Sequence, residues 1–153
     1  MRDHRLTRYH ADTVSNPHLI TSADKLAELY PPPRPSSRAK IRDCLSEQMQ
    51  QWLSHSPFFI LGSQRDNGID CSPRGDAPGQ AFRIIDAHTI AIPDRRGNNR
   101  IDTLRNILTD SRVGLVFLIP GIEEALRVTG RAAISIDPDL LCLLYTSPSP
   151  RDS

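Results

Sequence analysis

Long apolar runs are missing from this 153-residue chain, and no stretch approaches the ~18 residues that a membrane-spanning helix requires. No membrane association is therefore expected. Cysteine is scarce: of the three, Cys44 and Cys71 show no CxxC spacing and Cys142 lies near the C-terminal end. That pattern excludes a disulfide scaffold. With no signal-like apolar segment at the N-terminus, it points to a reducing cytoplasm. An excess of one charge sign is also lacking. A formal net charge of +1 and an aromatic content of 5% argue against a broad nucleic-acid footprint, which needs a basic surface with interleaved aromatics. The five histidines form no HxH or HxxxH pair, so no metal site is expected. Asp66, Asp70 and Asp76 lack the spacing of a calcium loop. None of GxSxG, GxxxxGK[ST] or GxGxxG occurs, which removes the common hydrolase, P-loop and dinucleotide-binding readings.

The composition is that of a single globular domain, 38% hydrophobic and 24% charged, with 13 prolines that imply many irregular joints. Residues 1–20 are polar and aperiodic and read as a loosely attached arm. Thr21 or Ser22 caps a short helix that Pro31 ends. A longer helix is predicted from a cap at Ser36 or Ser37, with Ile41, Cys44, Leu45, Met49, Trp52 and Leu53 at helical spacing. Trp52 is expected to pack on the core. From Pro57 the period changes to two, and six strands follow. They are Phe58–Ser63, Ile69–Pro73 across an Asn67-Gly68 turn, Phe82–Ile85, Thr89–Ile92, Val113–Ile119 and Ala125–Ile136. Cys71, inside the second strand, reads as a buried inert thiol. Six strands with one inserted helix predict a small β-barrel with helices outside it.

The most informative segment runs from Thr89 to Leu108. An apolar strand feeds Pro93, Asp94, Arg95, Arg96, Gly97, Asn98, Asn99 and Arg100, and then an amphipathic helix whose Ile101, Leu104, Ile107 and Leu108 are expected to face the core. The first N–H groups of a helix lack internal partners, and its dipole favours negative charge there. Arg95, Arg96 and Arg100 add charge-assisted donors, so the segment reads as a phosphate cradle. Asn98 is a candidate helix cap, a role compatible with ligand contact.

The segment from Cys142 to Ser153, CLLYTSPSPRDS, resembles one reading frame of a sequencing-library adapter and reads as a non-native tail. The native sequence is expected to break off near Leu141, just as Asp137-Pro138-Asp139-Leu140 opens a helix. The domain organisation is thus an arm over 1–20, a domain over 21–141 and the tail over 142–153.

The ordered runs Ser72-Pro73-Arg74-Gly75-Asp76 and Pro93-Asp94-Arg95-Arg96-Gly97-Asn98-Asn99-Arg100, followed by Leu104–Leu108 and Val113–Leu118, resemble the FMN-binding pyridoxamine 5′-phosphate oxidase-like family. A bacterial subgroup of that family is the nearer likeness, and it spans about Ser22 to Leu141. The resemblance implies a mainly β fold with peripheral helices, an FMN-binding split β-barrel, here incomplete at its C-terminus. It further implies a homodimer with FMN in clefts between subunits. Asn99 and Arg100 are then the phosphate contacts, Asn98 and Gly97 shape the turn, and Arg74 is a second cationic arm. Ser72 and Pro73 lie along the flavin edge, and Pro93 and Asp94 line the ribityl chain or ring.

The implied activity is a flavin-dependent oxidoreductase acting on a small molecule with a reduced electron donor. The alternative is a module that holds flavin or another phosphorylated cofactor without turnover. The pyridoxamine substrate itself does not carry over, because the cradle departs from the Ser-Arg-Lys pattern of the true oxidases. Because the missing C-terminal segment is expected to complete the barrel and part of the cleft, the 153-residue chain is expected to bind flavin weakly.

Overall fold

Alternation of Phe59, Leu61 and Ser63 with Phe58, Ile60 and Gly62 builds the first strand, β1 (Phe58–Arg65), in a computed structural model that describes residues 18–32, 40–77, 79–95 and 101–145. Asp66 and Asn67 turn the chain, and Gly68 pairs at once with Arg65, so β2 (Gly68–Gly75) follows in tight antiparallel register. The other edge of β1 pairs with β5 (Arg112–Leu118), and β5 with β6 (Ala125–Arg131), giving the order β2-β1-β5-β6. A separate hairpin joins β3 (Arg83–Asp86) to β4 (Thr89–Ala91). In its turn the His88 N–H donates to Asp86 Oδ1 at 2.7 Å, and this bond leads the causes that lower the Asp86 carboxyl below its ordinary pKa. The fold is mainly β with peripheral helices. Its six strands form two sheets that, among the described residues, do not close into a barrel. β6 ends at Arg131, five residues short of the expected Ile136; the Ala132 N–H makes the last bond, to Ser111 O at 2.8 Å.

The core lies on one face of the larger sheet. Phe59 sits opposite Phe117 and Leu61 opposite Leu115. Phe82 closes an aromatic triangle with centroid separations of 5.2 Å (Phe59–Phe117), 4.9 Å (Phe82–Phe117) and 5.9 Å (Phe59–Phe82). Each such fully buried side chain contributes roughly 1.5–3 kcal/mol from area alone. Buried Leu53 and half-buried Met49 and Trp52 pack onto this cluster from the helix α2 (Glu47–Leu53), with Trp52 in the role expected of it. Fully buried Ser56 donates to both Phe58 O (3.0 Å) and Leu118 O (2.8 Å), tying the start of β1 to the end of β5.

The chain divides into two compact units, Met1–Ile41 and Arg42–Ser153. The first contains α1 (Ala23–Leu29), capped by Ser22, whose Oγ accepts from the Lys25 N–H at 3.3 Å, and ended at Tyr30 before Pro31.

Three helical expectations need correction. The helix predicted from Ser36 or Ser37, residues outside those described, is helical only from Glu47. The Leu45 N–H is committed to Ala87 O at 2.7 Å, and Ser46 caps α2 by accepting from the Met49 N–H at 3.3 Å. The helix after the basic turn, α3 (Asp102–Thr109), has Ile101 at its N-cap with no side-chain bond, which removes Asn98 from the capping role. Leu108 on α3 is 77% exposed and Ile101 42% exposed, so they are not core contacts. Leu104 and Ile107 are half-buried, Thr103 is buried, and half-buried Asn106 faces the sheet, its Nδ2 donating to Ser63 Oγ at 2.9 Å.

The final helix, α4 (Pro138–Tyr145), opens where Asp137-Pro138 predicts and runs four residues past Leu141. No helix among the described residues is long and apolar enough to cross a membrane.

Candidate functional site

Strand alternation turns Asp70, Ser72 and Arg74 to one face of β2, half-buried, and leaves Cys71 and Pro73 exposed on the other. Cys71 is thus not the buried thiol expected, because Ser72 takes the inward position beside Leu61. Arg74 pairs across β1 with Phe59, at the margin of the core.

The chain then leaves β2 through Asp76, whose N–H donates to Pro57 O at 3.1 Å and whose Oδ1 accepts from the Ala77 N–H at 2.8 Å. The turn that follows is closed by the Gln80 N–H donating to Ala77 O at 2.9 Å, and it uses Gly79 at φ 76°, where a side chain is strained. It returns Ala81 to the core. Past β4, Ile92, Pro93, Asp94 and Arg95 run alongside. Between these stretches lies a cavity of about 90 Å³, walled by Arg74, Gly75 and Asp76, by Ala81, and by Ile92, Pro93 and Arg95. It is far below the ~300 Å³ at which whole-ligand pockets begin, and it suits a phosphoryl-sized group.

Two guanidinium groups and two carboxylates meet at it. Arg74 Nη1 lies 3.4 Å from Asp94 Oδ1, with 28% and 53% of the two side chains exposed. Arg95 Nε donates to Asp76 Oδ2 at 2.7 Å, and its Nη2 to Gln80 O at 3.3 Å. Pairs this open to solvent contribute little stability. What they accomplish is orientation: Asp76 fixes one edge of Arg95 and Asp94 one tip of Arg74. Arg74 Nε is buried and, among the described residues, has no hydrogen-bond acceptor. A cationic donor withdrawn from water without a partner is costly, and an entering anion supplies the missing acceptor. A second link reaches the site from α4, where the Tyr145 hydroxyl donates to Asp94 O at 3.1 Å.

Of the residues singled out from sequence, the structure brings Arg74, Pro93 and Asp94 together at this cavity, and Ser72 shares the face of Arg74. Pro73 points to the opposite face of β2. Asn98, Asn99 and Arg100, with Gly97, lie outside the described residues. The described part of the cavity wall comes from β2 and the two stretches beside it, with nothing from α3.

Asp76 was missed as a site residue, and Arg95 was read only as one of a charge cluster. No local signal marks Asp76, because its partner Arg95 is distant in sequence. No group of three or more His, Cys, Asp or Glu able to hold a metal ion occurs among the described residues. A wall of Ala81, Ile92 and Pro93 lies beside the two arginines.

The model of the family described as pyridoxamine 5′-phosphate oxidase matches residues 45–149, a span that includes all six strands and the whole described cavity. No curated protein and no solved structure shows a significant match.

Proposed function

Because the chain belongs to the pyridoxamine 5′-phosphate oxidase family, whose fold commonly binds flavin, we propose that it is an FMN-binding flavoprotein and a flavin-dependent oxidoreductase. It acts on a small molecule with a reduced electron donor, as a homodimer in the cytoplasm. The observation that carries this reading is the buried, acceptorless Nε of Arg74 beside a phosphoryl-sized cavity that also presents Arg95. A phosphate monoester meets both requirements at once, since its oxygens accept from planar guanidinium groups in pairs.

Arg74 and Arg95 hold the phosphate end of FMN, and the family likeness assigns Asn98, Asn99 and Arg100 to the same group. Pro93 and Ile92 supply an apolar wall, and Ser72 and Asp94 line the path leading away from the phosphate. Pro73, on the far face of β2, belongs to the flavin edge through its backbone. FMN itself supplies hydride acceptance and transfer. The chain's part is to bind and orient the cofactor and to keep water from its face. The cleft between subunits, implied by the family likeness, provides the remaining walls.

The test is an equilibrium titration of FMN into the protein, followed by flavin fluorescence, and then anaerobic mixing of the saturated protein with NAD(P)H. Saturable binding, weak in this chain, with flavin absorbance that bleaches on mixing is the expected result. Saturable binding without bleaching by this or other reduced donors favours the binding module without turnover. Absence of saturable binding overturns the proposal.

A further inference from the structure

The face of the four-stranded sheet opposite the phenylalanine core carries a second feature, independent of the arginine cavity. The register sets Gly62 directly beside Gly114, with Thr129 next in the same row. Glycine inside a strand weakens it, and it often marks a place where something approaches the backbone closely. Nothing within the chain demands glycine at either position. A Cβ on Gly114 would meet no atom within 4 Å, and one on Gly62 would meet only Gly114 O, at 3.6 Å, an ordinary contact. The two bare positions form the floor of an open hollow of about 670 Å³, within the ~300–1,000 Å³ of small-molecule sites.

One end of the hollow is positively charged. Arg112 and Arg131 stand opposite each other across β5 and β6, a like-charge pairing that disfavours the sheet. Arg112 Nε donates to both carboxylate oxygens of Asp110 at 3.0 Å, whereas Arg131 Nη1 donates to the neutral Ser111 hydroxyl at 3.0 Å. Two guanidinium groups against one carboxylate leave an excess of positive charge. At the other side Ile69, 76% exposed, offers an apolar rim.

We propose that this hollow binds a flat aromatic anion, its ring lying on the Gly62–Gly114 backbone and its acidic group against Arg131 and Arg112. The floor accepts a planar body because it lacks side chains, and the charge excess selects the sign of the ligand.

The test uses 8-anilinonaphthalene-1-sulfonate, a fluorescent aromatic sulfonate, titrated into the wild-type chain and into Gly114→Val and Arg131→Gln. The valine fills the hollow where the backbone leaves it room and adds a residue that favours strands, so the melting temperature is expected to hold or rise. Both substitutions are expected to weaken binding at least about ten-fold, a difference readily resolved between dissociation constants, with the sedimentation coefficient unchanged. Wild-type affinity in Gly114→Val overturns the proposal, as does wild-type affinity in Arg131→Gln. A change of assembly state in Gly114→Val overturns it in favour of a second copy of the chain as the occupant.

Discussion

Two neighbouring regions meet at Ala81, which belongs both to the phenylalanine cluster and to the wall of the arginine cavity. On the cluster side no buried side-chain polar atom among the described residues lacks a partner, and Phe59 and Phe117 are completely withdrawn from solvent. On the cavity side two arginines are each steadied by one aspartate, while Arg74 Nε is buried without an acceptor. The first region is closed and complete by itself. The second is assembled from partly exposed charges and leaves one buried donor unpaired among the described residues. The closed cluster and the open cavity thus lie side by side on one face of the sheet, where Arg74 is the cross-strand neighbour of Phe59, and substitutions should separate them.

The largest effect is expected from Phe117→Ala, which removes one vertex of the aromatic triangle. It should destabilise the fold by about 3–5 kcal/mol, read from the midpoint of urea denaturation. A loss below about 1 kcal/mol would mean that the cluster does not carry the fold. Arg74→Ala should show the opposite pattern. FMN binding weakens by about 1.5–3 kcal/mol, the range for hydrogen bonds to charged groups, while the urea midpoint moves little, as for a solvent-accessible ion pair. Equal effects of Arg74→Ala on binding and on stability would erase the distinction between the regions. Ser56→Ala, which leaves Phe58 O and Leu118 O without their shared donor, should cost about 0.5–1.5 kcal/mol of stability and leave flavin affinity unchanged.

The smallest effect concerns pH. Hydrogen bonds from Arg112 hold the Asp110 carboxyl down at about 2 against an ordinary 3.8. A depressed folded-state pKa means that this group's contribution is present above about pH 4 and fades as pH falls through about 2. The carboxyl resonance of Asp110 should titrate near 2, and Asp110→Asn should flatten the acid limb of the stability profile slightly. Titration near 3.8 would remove Asp110 as a support for that end of β5.

The sheet was legible because Phe58–Gln64 and Ala125–Arg131 alternate cleanly, and because Asn67-Gly68 marks its turn without ambiguity. Helix starts were less so. Apolar spacing alone extended α2 back across Leu45, whose backbone is bonded to the distant Ala87, a commitment that no local pattern reveals. On α3, apolar periodicity pointed to Leu108, which is exposed, and gave no hint that polar Asn106 makes the hydrogen bond to the sheet.

The arginine-rich character of the site was visible in Arg74 and Arg95. The role of Asp76 was not, because its partner is 19 positions away and only folding brings them together. The bare row of Gly62 and Gly114 was equally hidden, since glycine in a strand signals nothing until register places two side by side.

The central claim is that this cavity holds a phosphate. The most direct measurement compares the affinity of the protein for FMN with that for riboflavin, which lacks the phosphate, in wild type and in Arg74→Ala. FMN should bind at least about ten-fold more tightly than riboflavin, and Arg74→Ala should remove most of that preference, by loss of a charge-assisted contact. Equal affinity for the two flavins, or a preference that survives the substitution, would contradict the account.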